Sequence, residues 1–408
     1  MKTNTKLVIL IVVFAVAVIG ALVLTVNHYT HDSYMVLNGE EKTVIGLNGL
    51  YDDPGATAVI NGKDVSDQIK VTGKPDSSIP GKYDIVYSAG NFTVTRQVTV
   101  TDTMDPVIEL KGADKDISLT LGDEFKDPGY TATDSEGNDI TAEVEVTGAD
   151  FNRAGKQLVA YTVTDSQGKK TRVYRTVKIK PNTEYGTSGL PICMYQYVYD
   201  DDNPPDNLHS NSISTSTLSE ELAWLNEHDY YYPTWQEVVE YLNGELLLPE
   251  KSVVLTFDSA SSSFFKYGLP LLEKYKVPAT CFIVTSKAGN KISQYESQYL
   301  SFQSNSDNMH RGGGDIGHGG IFTKLSKEEA LADLKKSIEI TGNKDVFAYP
   351  FGDYNDECKK IVEEAGFSCA VTTRQGRAKP GDDPYSLPRQ RMGNDQTMDT
   401  FRALVLPY

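Results

Sequence analysis

The front half of this chain is written twice. Asp53-Pro54-Gly55-Ala56-Thr57-Ala58 returns 74 residues later as Asp127-Pro128-Gly129-Tyr130-Thr131-Ala132. Val71-Thr72-Gly73 returns as Val146-Thr147-Gly148, and Gly81-Lys82 with Tyr87 returns as Gly155-Lys156 with Tyr161. A repeat of this period is one structural unit used twice, which outweighs any local propensity. Each copy carries short alternating runs, such as Tyr83–Tyr87 and Leu158–Val163, separated by Gly, Pro, Asn and Asp turns. That spacing predicts two antiparallel β-sandwiches, over 35–104 and 105–181.

Ahead of them, Leu7 to Val26 is an apolar stretch of 20 residues with no charge. At about 1.5 Å per residue it matches the ~30 Å hydrocarbon core of a bilayer. Lys2 and Lys6 precede it and Asp32 follows, so residues 1–34 read as a cytoplasmic tip and single-pass anchor, helix about 7–26, with the rest outside the cell membrane. A cleaved signal peptide is the other reading, but Thr25-Val26-Asn27 is a poor cleavage site. The two repeats resemble bacterial immunoglobulin-like (Ig-like) surface domains. They contain no histidine or cysteine between Tyr34 and Pro181, so they read as spacers rather than sites of chemistry. The net charge of −17, from 56 acidic and 39 basic residues, argues against nucleic acid as a partner. Four cysteines without CxxC spacing exclude a thiolate zinc site.

Residues 182–189 form a polar linker, and the texture then changes to strands alternating with helices. Strands are expected over 253–257, 279–284, 346–349 and 367–373. Helices are expected at 269–275, after capping boxes at Thr217/Glu220, Thr234/Glu237 and Ser326/Glu329, and after the cap Asn355. Such alternation predicts an α/β parallel sheet or barrel over 190–408. Chemistry then belongs beyond the carboxyl ends of the strands, where Asp258 and Phe351-Gly352-Asp353 fall. His310 is placed in a long loop after strand 279–284.

Pro191-Ile192-Cys193-Met194-Tyr195-Gln196-Tyr197, Leu248 to Asp258, Pro278-Ala279-Thr280-Cys281-Phe282, Ala348 to Gly352 and Leu387-Pro388-Arg389 together resemble the polysaccharide deacetylase family. The resemblance implies a distorted (β/α) barrel that removes N-acetyl groups from glycans. It also implies a divalent metal, usually zinc, held by one Asp and two His, with a second Asp as base and a His as acid. Carried over by position, Asp258 keeps the base, but Ser259 stands where the metal-binding Asp belongs. In the loop Ser304 to His310, Asn305 replaces the first ligand histidine and His310 retains the second. Gln196 stands where relatives with the acid in the first strand carry His. Tyr349, Pro350, Phe351, Arg389 and Arg391 are substrate or support positions; either arginine is a candidate to orient Asp258.

Neutral Ser259 and Asn305 are weak zinc donors, and Gln196 has no proton to give. The expectation is a membrane-anchored scaffold directed at N-acetylglucosamine-containing cell-wall glycan, with zinc weakly held or not held and little or no deacetylase activity. One alternative is an active enzyme with a rearranged site using His310, His318 and Asp307 or Asp315. Another is a non-catalytic surface interaction protein. His209 and His228 read as surface loop and helix end. Cys193 and Cys281 read as buried thiols, with pairing of Cys358 and Cys369 left open.

Overall fold

A computed structural model describes residues 33–112 and 116–407. The apolar stretch 7–26 lies outside them; among the described residues no helix is long and apolar enough to cross a membrane. In the first repeat, strands Tyr34–Leu37, Ala56–Ile60 and Lys63–Asp64 form one sheet. Lys42–Ile45, Phe92–Val100, Gly81–Ala89 and Lys70–Thr72 form the other, in that order. Alternation buries Ile85, Tyr87, Val98 and Val100 between them. One pairing departs from the antiparallel expectation: Lys42–Ile45 runs parallel to Phe92–Val100 at the sheet edge. Periodicity reports which face is buried, not strand direction, so this was invisible in sequence.

The second repeat reuses the plan. Tyr130–Thr133 pairs antiparallel with Val107–Leu110, and a four-stranded sheet runs Glu145–Thr147, Gly155–Thr164, Lys170–Lys180 and Asp116–Thr120. The repeated D-P-G turn is tied down the same way in both copies. Arg96 is fully buried and donates to Asp53 at 2.6 Å, to Tyr87 Oη at 3.0 Å and to the Glu40 carbonyl at 2.9 Å. Arg175 lies 3.7 Å from Asp127, while Tyr161 Oη donates to Asp127 at 2.8 Å.

From Ile192 onward seven parallel strands close into a barrel. They are Ile192–Tyr195, Val254–Phe257, Ala279–Ile283, Leu300–Ser304, Val346–Ala348, Cys369–Gln375 and Leu387–Arg391, the last pairing back onto the first. Both faces of the first three are buried, as parallel strands under helices must be. Two expectations change here. Leu300–Ser304 is a strand, so His310 follows it rather than strand 279–283. Its polar residues disguised it: buried Gln303 donates to Asp345 at 2.9 Å and Ser304 pairs with Ser337 at 2.6 Å. Helix Thr215–Glu227 starts two residues before Thr217, and its cap is Ser214, whose hydroxyl accepts from the Thr217 amide. The capping boxes at Thr234 and Ser326 form as expected. All four cysteines are free and buried.

Candidate functional site

Parallel strands end at one rim, so the residues following them converge. Gln196 follows Tyr195, Asp258 follows Phe257, Asn305 follows Ser304 and Tyr349 follows Ala348. The Asp258 amide donates to the Tyr195 carbonyl at 2.9 Å, continuing the parallel register past the strand end. The Asp258 carboxylate meets Arg389 in fork geometry, Nη1 to Oδ1 at 2.8 Å and Nη2 to Oδ2 at 2.9 Å. Arg389 is buried and is itself held by the Thr372 carbonyl at 2.8 Å and Thr256 Oγ1 at 3.0 Å. Of the two candidate arginines, Arg389 orients Asp258. Arg391 is exposed at the strand end.

Beyond Asp258 the backbone turns sharply, with Ser259 at φ 69° and Ala260 at φ 47°. Residues without Cβ prefer that region, so the turn is strained. It is held from outside: Lys291 Nζ donates to the Ala260 carbonyl at 3.2 Å and to Ser262 Oγ at 3.1 Å, and Ser261 Oγ donates to the Gln196 carbonyl at 3.2 Å. Gln196 Nε2 donates to Ser259 Oγ at 3.3 Å, and Asn211 Nδ2 donates to Gln196 Oε1.

Asn305 is buried, and its amide donates to the Ala348 carbonyl at 2.7 Å on the neighbouring strand. His310 is half-buried with its ring 4.2 Å from that of Phe351, which has φ 61°. Burial lowers the His310 pKa and the Lys287 charge lowers it further, opposed by a backbone hydrogen bond and the Asp258 charge, so the environment favours the neutral ring. Tyr349 and Pro350 lie inside: Tyr349 Oη donates to the Tyr385 carbonyl at 2.9 Å and its ring stacks on Tyr354. They support the rim, and only Phe351 of that triplet is open to a ligand.

The rearranged ligand set does not assemble. His318 keeps 74% of its side chain exposed and lies 3.4 Å from Asp353, while its backbone amide and that of Gly320 donate to the Asp353 carboxylate. Asp353 is therefore the anchor of the glycine-rich loop; a Cβ at Gly317 would stand 1.9 Å from it. Asp307 is bound by Lys336 at 2.7 Å and Thr285 at 2.8 Å, and Asp315 by Lys324 at 2.6 Å. Among the described residues no group of three His, Cys, Asp or Glu side chains is placed to hold a metal ion. Asp258 is forked to arginine, Ser259 and Asn305 are neutral, and His310 is the single imidazole, so this donor set does not fit zinc. His209 is exposed and tilts against Tyr197, and His228 ends its helix stacked on Trp224. Sequence reasoning missed Asn211, Lys287 and Lys291, which lie in loop or short-helix segments with no motif to mark them.

Residues 35–100 and 108–179 match the family model for the bacterial surface protein Ig-like domain, and residues 247–370 match that for polysaccharide deacetylase. The chain thus carries a polysaccharide deacetylase domain behind two bacterial surface Ig-like domains. It is similar to the poly-β-1,6-N-acetyl-D-glucosamine N-deacetylase of Staphylococcus epidermidis, 27% identical over 212 residues, covering 48% of this chain and 71% of the relative. The enzyme of that name from Staphylococcus aureus is 27% identical over 202 residues, covering 45% and 69%. Among solved structures, a Streptococcus pyogenes deacetylase in complex with acetate aligns with TM-score 0.46 and 24% identity, over 54% of this chain and all of that one.

Proposed function

We propose that this chain is a surface-anchored protein whose barrel binds an N-acetylglucosamine-containing polysaccharide without hydrolysing it. The observation that carries the reading is the donor set at the rim: Asp258 and His310 remain, while Ser259 and Asn305 occupy the other two ligand positions and bond to protein. Nothing at Gln196 can protonate a leaving amine near neutral pH. The glycan as ligand is supported by the relatives' substrate and by a rim that keeps Phe351 and Tyr197 partly open for sugar faces. Anchoring through 7–26, with the sandwiches as spacers outside the membrane, is supported by the uncharged apolar stretch and the flanking lysines.

The test takes the purified full chain, equilibrated with zinc or cobalt and desalted. The reading expects no stoichiometric metal, no acetate release from poly-β-1,6-N-acetylglucosamine above that of Asp258→Asn, and measurable binding of the polymer. One metal per chain, lost on His310→Ala and accompanied by Asp258-dependent acetate release, overturns it. Combining Gln196→His, Ser259→Asp and Asn305→His is expected to create metal binding.

A further inference from the structure

We infer that Ser259 has become the group that reads the N-acetyl substituent, donating its hydroxyl hydrogen to the acetamide carbonyl where a metal would otherwise sit. The inference rests on the glycan-binding reading above and assigns its specificity. Its basis is the direction of a hydrogen-bond relay. Asn211 Nδ2 donates to Gln196 Oε1, which turns the other end of the Gln196 amide, Nε2, toward Ser259 Oγ at 3.3 Å. An amide nitrogen only donates, so Ser259 Oγ is the acceptor in that pair. The hydroxyl hydrogen is left over, and among the described residues it meets no acceptor. The strained backbone at Ser259 and Ala260, pinned by Lys291 and Ser261, fixes where the hydroxyl sits.

Charge around the site favours the same ligand. Lys291 Nζ rests on the carbonyl of Ala260, next to Ser259, and Lys287 Nζ rests on the carbonyl of His310 at 3.1 Å. Arg389 lies under Asp258 and satisfies both of its oxygens. A glucosamine unit would bring an ammonium to these cations and place no acceptor where the acetamide carbonyl would meet the Ser259 hydroxyl. An N-acetylglucosamine unit is neutral and brings a carbonyl. The site therefore selects the acetylated polymer, with the electrostatic part of the selection weakening as salt screens it.

Calorimetry on the full chain with a β-1,6-linked N-acetylglucosamine hexamer and its fully deacetylated counterpart tests this. Wild type is expected to bind the acetylated hexamer at least about tenfold more tightly at low salt. Ser259→Ala is expected to weaken the acetylated hexamer by about three- to tenfold, the worth of one neutral hydrogen bond, and to leave the deacetylated one unchanged. Gln196→Glu is the sharper variant. Its carboxylate accepts from both Asn211 and Ser259, capturing the free hydrogen, so acetylated binding falls as with Ser259→Ala while binding of the cationic hexamer rises. Equal affinities for the two hexamers, a preference for the deacetylated one, or full acetylated affinity in Ser259→Ala and Gln196→Glu overturns the inference. Binding of neither hexamer by wild type overturns the glycan reading along with it.

Discussion

Replacing Arg389 by Met isolates what holds Asp258 in place. The guanidinium makes four hydrogen bonds of 2.8 to 3.0 Å, two of them to Asp258, and is 2% exposed. Methionine fills much of the stem volume, so the loss is chiefly polar. Thr256 Oγ1 keeps its bond to the Cys193 carbonyl at 2.7 Å, but the Thr372 carbonyl and the carboxylate lose this partner. Breaking a buried pair costs about 3–5 kcal/mol. The Asp258 side chain retains 21% exposure and can draw in water, which places the cost near the low end, ~3 kcal/mol. For a barrel of roughly 220 residues that lowers Tm by about 6–12 °C. Both tryptophans, Trp224 and Trp235, lie in the barrel, so fluorescence-detected urea unfolding follows this domain without interference from the sandwiches. Because the loss comes from a stranded charge, Asp258→Asn in the Arg389→Met background is expected to recover ~1.5 kcal/mol or more of it. Additive single and double substitutions, or a loss under ~1 kcal/mol for Arg389→Met, refute the pairing as the origin of the order at Asp258.

Glu221, beneath the rim, is fully buried and accepts from Tyr195 Oη at 2.7 Å; burial pushes its pKa up to about 8 although the Tyr195 bond opposes this. A folded pKa above the unfolded value, about 4.5, means its contribution is intact below about pH 4.5 and is lost as pH rises toward 8. Glu221→Gln is therefore expected to match wild type near pH 4.5 and to exceed it at pH 8 to 9 by on the order of a few kcal/mol, with parallel stability curves as the contrary result. In the first repeat, Arg96→Met is expected to cost about 3 kcal/mol, the low end for a buried pair, because Asp53 is 32% exposed and keeps the Tyr87 hydroxyl and the Gly55 amide while the Glu40 and Asn38 carbonyls lose this donor; it is read as faster proteolysis of that repeat with unchanged tryptophan fluorescence. Tyr87→Phe removes only one partner of the same cluster and is expected to cost about 1 kcal/mol in that assay.

The duplicated sandwich and the barrel were legible because both rest on periodicity and caps, which are local. Thr234 with Glu237, Ser326 with Glu329 and Asn355 cap the helices they were expected to cap. The strand Leu300–Ser304 was not legible, because Gln303 and Ser304 are polar residues satisfied inside the barrel by Asp345 and Ser337, partners about 30 to 40 residues away. Asp258 was placed at the rim by its position after a strand; Gln196 and Asn305 were singled out through the family resemblance, and they reach the rim because Tyr195 and Ser304 end strands. The choice of Arg389 over Arg391 needed the side-chain geometry, since both lie on one strand near its end. Asn211, Lys287 and Lys291 act through one or two bonds each from segments without a motif, and only the closed barrel brings them to Gln196, His310 and Ala260.

A metal that ties strand ends together also holds the loops that carry its ligands. Here protein bonds hold them. Ser306, at φ 76°, donates its amide to Ser304 Oγ at 3.0 Å and accepts from the Met309 amide at 3.0 Å. The Asp307 and Asn308 amides donate to Asp333 at 2.7 and 2.8 Å, and Phe351 packs on His310. Strained conformations of this kind, on the order of 1–3 kcal/mol each, persist when surrounding contacts over-determine them. The rim's order should then be independent of divalent cations. Chelation by EDTA is expected to leave the tryptophan-reported Tm unchanged within about 1 °C, and excess zinc is expected to add nothing. The protein carrying Gln196→His, Ser259→Asp and Asn305→His should instead gain stability with zinc as RT ln(1 + [Zn]/Kd), about 2.7 kcal/mol at a hundredfold excess over Kd. A wild-type Tm that falls by several degrees on chelation and returns with zinc means that an ion, not the serine and asparagine network, holds these loops, and the metal-free account of the site fails with it.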